Sequence, residues 1–218
     1  MEKTMAYKLS AGSTISVADT YGDPVSITAV SNAETAVATA TAHGLAKGDY
    51  VEVTSGWEEL NNRVVRVGAV TDTTFELEGI DTTDVDIYPE NGGVGSVRKI
   101  ESFARIQQVL GISVSGGEMQ NVTYSPLESR HDYQIPTTFS AQSISISIGD
   151  DPTLPGYKTL KRWSQSRKIC AMLVRAPDKS EVLFNGYVAL NEMPSMEKDN
   201  VMTITADYAL QSQLVRYA

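Results

Sequence analysis

The chain has 218 residues, 41% of them hydrophobic and 21% charged, a composition that supports a buried core and excludes global disorder. Its net charge of −9 argues against a protein that grips nucleic-acid phosphates over a broad surface. A single cysteine, Cys170, excludes an intrachain disulfide framework, and no run approaches the roughly 18 apolar residues of a membrane-spanning helix. Residues 1–5 lack the basic-then-apolar layout of a signal peptide, so synthesis in the cytoplasm is expected. The charge is unevenly spread: residues 26–98 hold 12 acidic and 4 basic side chains, a net of −8. Such asymmetry predicts two modules, a small acidic β module at 26–98 inserted into a body made of 1–25 and 99–218.

Pattern reading predicts strands almost throughout. The first spans 13–19 and runs into a turn at Tyr21-Gly22-Asp23-Pro24. Within the acidic segment, strands are predicted at 36–42, 50–54, 63–70 and 73–79, with a further one at 96–103 that closes the module or returns the chain to the body. Short strands at this spacing, separated by glycine turns, predict a small barrel that hides its edges. A strand at 103–110 follows, and then a polar stretch, 121–138, reads as a long loop whose Tyr124, Leu127, Tyr133 and Ile135 need something to order against.

Residues 143–148 alternate serine and isoleucine, the pattern of a strand with one face on a core and one on water. Residues 154–168 form the one predicted helix, opened by Pro155 and rich in cations: Lys158, Lys161, Arg162, Arg167 and Lys168. Strands at 169–175, 181–191 and 201–210 complete the chain. The last places Met202, Ile204, Ala206, Tyr208 and Leu210 on an apolar face and Thr203, Thr205 and Asp207 on a polar one. The sum is an all-β fold with one flanking helix: a β-sandwich carrying a small inserted β-barrel-like module.

Motifs for chemistry are missing. No phosphate loop, dinucleotide fingerprint or nucleophile elbow is present, and two histidines with one cysteine do not make a structural zinc site. His43 reads as a turn or packing residue and His131 as a solvated or interfacial one. Asp150-Asp151-Pro152 and the carboxylates Asp81, Asp84 and Asp86 read as turns and solvated loop, Cys170 as a buried inert thiol, and Trp57 and Trp163 as core or interface anchors. No cofactor or metal is expected, and no enzyme activity.

Several stretches resemble tail tube (major tail) proteins of long-tailed, non-contractile bacteriophages. They are His-Gly-Leu at 43–45, Gly-Asp-Tyr-Val-Glu-Val-Thr-Ser-Gly-Trp at 48–57, Leu-Asn-Asn-Arg-Val-Val-Arg-Val at 60–67, Phe-Glu-Leu-Glu-Gly-Ile-Asp-Thr-Thr-Asp at 75–84 and Gly-Ser-Val-Arg-Lys at 95–99. The run Asp-Asp-Pro-Thr-Leu-Pro-Gly-Tyr at 150–157 and the strand Asn-Val-Met-Thr-Ile at 200–204 extend the resemblance over almost the whole chain.

The resemblance implies hexameric rings of this one protein, stacked helically into a virion tail tube through which DNA is ejected. It implies a tape measure protein and tail terminator and initiator proteins as partners, transient non-specific passage of DNA, and no membrane. It also implies that the 121–138 stretch, with Tyr124, Leu127, Arg130, His131, Tyr133 and Ile135, bridges subunits or successive rings. A channel for sliding DNA needs a hydrated wall with little positive charge. Ser143, Ser145, Ser147, Thr203, Thr205 and Asp207 are therefore candidate lumen residues, the alternative being an outer solvated face. The basic helix is a candidate contact to an acidic surface of a neighbouring subunit. Two rival readings stay open: a tail terminator or other ring-forming tail protein, and a receptor- or glycan-binding β module using Trp57 and Tyr88.

Overall fold

The structure, a computed structural model, describes residues 11–218. The part of the expected body that falls on residues 1–10 lies outside the described residues. Strands β1 (Thr14–Tyr21), β2 (Val25–Ile27), β3 (Ala29–Val30), β4 (Val37–Thr39), β5 (Tyr50–Ser55), β6 (Arg63–Val70), β7 (Thr74–Leu77) and β8 (Gly95–Ile106) form the N-terminal half. The C-terminal half holds β9 (Val109–Ser115), β10 (Met119–Tyr124), β11 (Tyr133–Phe139), β12 (Ser143–Gly149), helix α1 (Pro155–Ser166), β13 (Ile169–Arg175), β14 (Glu181–Ser195), β15 (Thr203–Leu210) and β16 (Val215–Tyr217). The chain is therefore all-β with one helix.

A single antiparallel path runs β3-β4-β7-β6-β5-β8-β1-β13-β14-β15-β12-β9. Its first part closes on itself. β8 pairs with both β5 and β2, while β3, one residue beyond β2, pairs with β4. The resulting ring is lined by Val51, Val53, Val65, Val67, Phe75, Leu77 and Val97, all buried. Its second part curls over a separate core of Ile144, Ile146, Ile148, Met172, Phe184, Ile204 and Tyr208. The long strand β8 belongs to both, pairing β5 through 95–99 and β1 through Ile106 to Ile100.

The helix plugs the second core with Leu160. It docks where β1 and β8 slip register between Ala18 and Tyr21, an irregularity of the kind that re-aims a side chain. Asp19 there accepts hydrogen bonds from Thr159 Oγ1 (2.9 Å) and Arg162 Nη2 (2.8 Å), and Trp163 Nε1 donates to Ala18 O (2.7 Å). Gly156 permits the close approach, since a Cβ there would stand 2.5 Å from Arg105 O. Asp151 prepares the helix entry by accepting from Thr153 N and Oγ1, the turn expected of the Asp-Asp-Pro run.

Several boundaries differ from the sequence reading. The strands read at 96–103 and 103–110 are one twelve-residue strand, β8, followed by an unforeseen β9. Residues Ile112-Ser113-Val114-Ser115 of β9 alternate, but the run is short and follows Gly111. The stretch read as a loop at 121–138 is mostly the hairpin β10–β11. Its residues are exposed, with Val122, Tyr124, Tyr133 and Ile135 sharing one face. The helix ends at Ser166, with Arg167 in the left-handed conformation (φ 52°) as its cap, so Lys168 lies beyond it. Met202 precedes β15 and is exposed rather than part of its apolar face. In β5 and β6, Glu52 and Val64 are buried although alternation places them outside. Their face is covered by the body: Val64 stands opposite Glu52, and next to them Asn185 Nδ2 donates to Asn62 O (3.0 Å).

Ile146 has no exposed surface and sits at the centre of the second core. Ile146→Ala should cost about 2–5 kcal/mol of stability, read as a lower urea midpoint with an unchanged slope.

Candidate assembly surfaces

The lumen candidates come together on one sheet face. β12 and β15 pair in register, so Ser145 stands opposite Asp207 and Ser147 opposite Thr205. On one side Ser115 and Ser113 of β9 stand opposite Ser143 and Ser145, with Ser115 and Ser143 hydroxyls 2.8 Å apart. On the other side Asn191 and Ala189 of β14 stand opposite Thr205 and Asp207. The facing row of isoleucines, Ile144, Ile146 and Ile148, is buried behind it. This four-strand face holds one charge, Asp207, and no basic side chain. Thr203 lies at its margin, opposite Gly149.

Beside that face the sheet ends. β9 is the last strand of the path, and its outer edge pairs with nothing among the described residues. Ile112 and Val114 stand in register with Ile146 and Ile144, on the core side, yet are 44% and 58% exposed. An open edge flanked by exposed aliphatics is a template for pairing with another chain.

The hairpin β10–β11 makes its own two-stranded sheet. Tyr124 and Tyr133 stack at its end, rings 5.6 Å apart, and Ile135, Val122 and Phe139 are exposed along it. Leu127 at its tip is fully exposed, and Arg130 and His131 are exposed beside it. Tyr124, Tyr133, Val122 and Ile135 share one face, and a two-stranded ribbon with an uncovered apolar face is marginal in water by itself.

The basic helix is partly committed within the subunit. Lys161 pairs with Glu192 (2.6 Å) and Arg162 with Asp19 (2.8 Å). Lys158, Arg167 and Lys168 are exposed and form no ion pair among the described residues.

Sequence reasoning missed the junction between barrel and body. Glu181, 6% exposed, accepts from Tyr50 Oη (2.8 Å), Arg66 Nη1 (3.1 Å) and Arg175 Nε (2.8 Å). Arg66 also forms a two-point pair with Glu78, at 2.7 Å each, which holds that carboxyl below its ordinary range. Tyr217 Oη donates to Glu78 O and accepts from Arg66 N, tying the C-terminal strand to the barrel. The contacts that cross from barrel to body join residues 115 to 151 apart in sequence, so no local pattern signals them.

The chemistry found elsewhere is structural. His43 is buried, with Nδ1 accepting from Leu45 N and Nε2 donating to Thr71 O. Burial pushes the Cys170 thiol up to about 12, so it stays protonated at neutral pH. Asp81 caps its own turn through Thr83. No group of three or more His, Cys, Asp or Glu among the described residues could hold a metal ion, and no described helix is long and apolar enough to cross a membrane. The rival platform for a receptor or glycan is not displayed: Trp57 is 2% and Tyr88 7% exposed. They pack edge to face, and Trp57 Nε1 is spent on Pro89 O.

Comparison with known families finds a match to the phage tail tube protein, TTP, over residues 55–218. The chain belongs to the phage tail tube protein family. Family membership makes it a structural component of the virion tail. The match begins at the last residue of β5 and takes in β6 to β16 with the hairpin and the helix, while β1 to β4 precede it. A search of curated proteins finds no match.

Removing the acceptor at the junction isolates two guanidinium groups from their shared carboxylate. Glu181→Ala should lower stability by about 3 kcal/mol, measured by urea unfolding, while Glu192→Ala at the exposed Lys161 pair should cost under about 1 kcal/mol.

Proposed function

We propose that this tail tube protein closes into six-subunit rings that stack helically into a hollow tube, and that DNA leaves the virion through its channel. The observation that carries the reading is the adjacency of two surfaces: a four-strand polar face with no basic side chain, and an open apolar sheet edge at β9. Edge-to-edge pairing at β9 would join the polar faces of neighbours into one continuous wall. A head-to-tail contact whose rotation closes makes a ring, and stacking makes the filament.

Ser143, Ser145, Ser147, Thr203, Thr205 and Asp207 then face the lumen, where hydroxyls keep a water layer and the lone carboxylate repels phosphate. The hairpin, with Tyr124, Leu127, Arg130, His131, Tyr133 and Ile135, reaches a neighbouring subunit or the next ring and buries its apolar groups there. Residues 26–98 form the inserted module and project outward, so their acidity is separate from the lumen. A tape measure protein occupies the channel before ejection, and initiator and terminator proteins bound the tube; the subunit is made in the host cytoplasm.

Negative-stain electron microscopy of the purified protein, alone and with tail initiation complexes, tests this. Stacked rings with a central channel and six-fold end views are expected. Discrete rings that never stack would shift the assignment to a tail terminator. For the lumen, the double variant Ser145→Lys, Thr205→Lys changes the face from one negative to one net positive charge per subunit. Tubes should still form, and DNA ejection from virions carrying them should slow severalfold and recover with added salt; wild-type ejection kinetics would remove this face from the lumen.

A further inference from the structure

A cleft of about 820 Å³ lies where the end of α1 meets the outer side of β5. Arg98, Arg162, Arg167 and Lys168 line it together with Asp19 and Glu52. Two of the cations are answered inside the subunit, Arg98 by Glu52 Oε1 and Arg162 by Asp19. Arg167 and Lys168 are exposed and form no ion pair among the described residues. Trp163, Ile169 and Tyr187 supply the apolar part of the wall.

Glu52 is 5% exposed, its Oε2 is buried and its Oε1 is held by Arg98, so it is closed to an incoming group. The cleft thus asks for negative charge at Arg167 and Lys168 and for apolar groups at Trp163, Ile169 and Tyr187. An acidic polypeptide segment carrying aliphatic side chains brings both.

The same chain displays such a segment. In the loop 81–90, Asp81, Asp84, Asp86 and Glu90 are exposed, no basic residue intervenes, and Val85 and Ile87 are 52% and 50% exposed. The loop is held from behind: Asn32 Nδ2 donates to Thr82 O and Tyr88 O, and Trp57 Nε1 donates to Pro89 O. A preformed loop binds without the cost of ordering it.

We propose that the 81–90 loop of one subunit docks in this cleft of a second copy. Its carboxylates meet Arg167 and Lys168, and its aliphatic side chains meet the Trp163 and Tyr187 surface. The contact is head-to-tail, as a closed ring or a stack requires. It rests on the self-assembly reading above and adds to it a role for the acidic module as a lateral clasp.

The test uses the full chain. The double variant Asp84→Cys, Lys168→Cys, assembled and mildly oxidised, should give a ladder of covalent oligomers on a non-reducing gel, with none from either single variant; Cys170 is buried and stays out of the reaction. Arg167→Glu with Lys168→Glu should raise the concentration needed for assembly roughly tenfold or more, and adding Asp84→Lys with Asp86→Lys should restore it. All four positions are exposed, and unchanged thermal unfolding confirms that each variant folds. Wild-type-like assembly of the Arg167→Glu, Lys168→Glu variant without any ladder overturns the clasp and leaves the tube reading standing. Lost assembly that the loop reversal fails to rescue also overturns it, by assigning the cleft another acidic segment. Wild-type protein that never assembles, even on initiation complexes, overturns the tube reading and the clasp with it.

Discussion

The architecture depends on one strand serving two cores. β8 closes the barrel through its first residues and pairs with β1 through its last, without a break between. A strand cannot swivel at its middle without giving up ladder hydrogen bonds, so barrel and body are coupled through continuous backbone pairing. The Glu181 cluster reinforces the coupling with side chains. Tyr50 and Arg66 reach from the barrel to a carboxylate of the body, and Tyr217 returns from the C-terminal strand to Arg66 and Glu78. A charged group so deep in the fold is tolerated because three donors converge on it. For a subunit placed many times along a tube, such a joint keeps any protruding module at a fixed angle.

A second constraint is that the fold leaves apolar surface unburied where a monomer would gain by burying it. The core row of β12 continues into Ile112 and Val114 of β9, but no element covers them there. The hairpin adds Val122, Ile135, Leu127 and Phe139, all exposed. Exposed edges and apolar ribbons are hazards for a solitary protein. They suit a chain whose buried state is the assembly. The polar row beside them follows from the same alternation, because a strand that sends isoleucines inward must send serines outward.

Some of this was legible residue by residue. Serine–isoleucine alternation marked β12 and its two faces, and valine alternation marked the barrel strands. The Asp-Asp-Pro-Thr-Leu-Pro-Gly-Tyr run marked the helix start, and the structure supplies its reason: Asp151 builds the turn, and Gly156 lets the helix approach the end of β8. The hairpin and β9 went unread because Gly111, Gly116-Gly117, Pro126 and Pro136 punctuate short stretches of alternation. The burial of Glu52 and Val64 is not readable from alternation, which separates two faces but does not say that the body covers the second.

What the sequence by itself determined is the class of protein: strands of period two around one helix, no convergent acid, base, nucleophile or metal set, and the stretches that resemble tail tube proteins. These are local properties, set by side-chain chemistry within a few residues. Only the tertiary structure decided that the serine row and the Thr205–Asp207 row form one face, that Lys161 and Arg162 are paired at home while Arg167 and Lys168 have no ion-pair partner among the described residues, and that Trp57 is hidden. Those outcomes depend on strand register and on contacts between residues 31 to 143 positions apart. Neither is written in periodicity, because the same alternation fits many registers and only packing selects one.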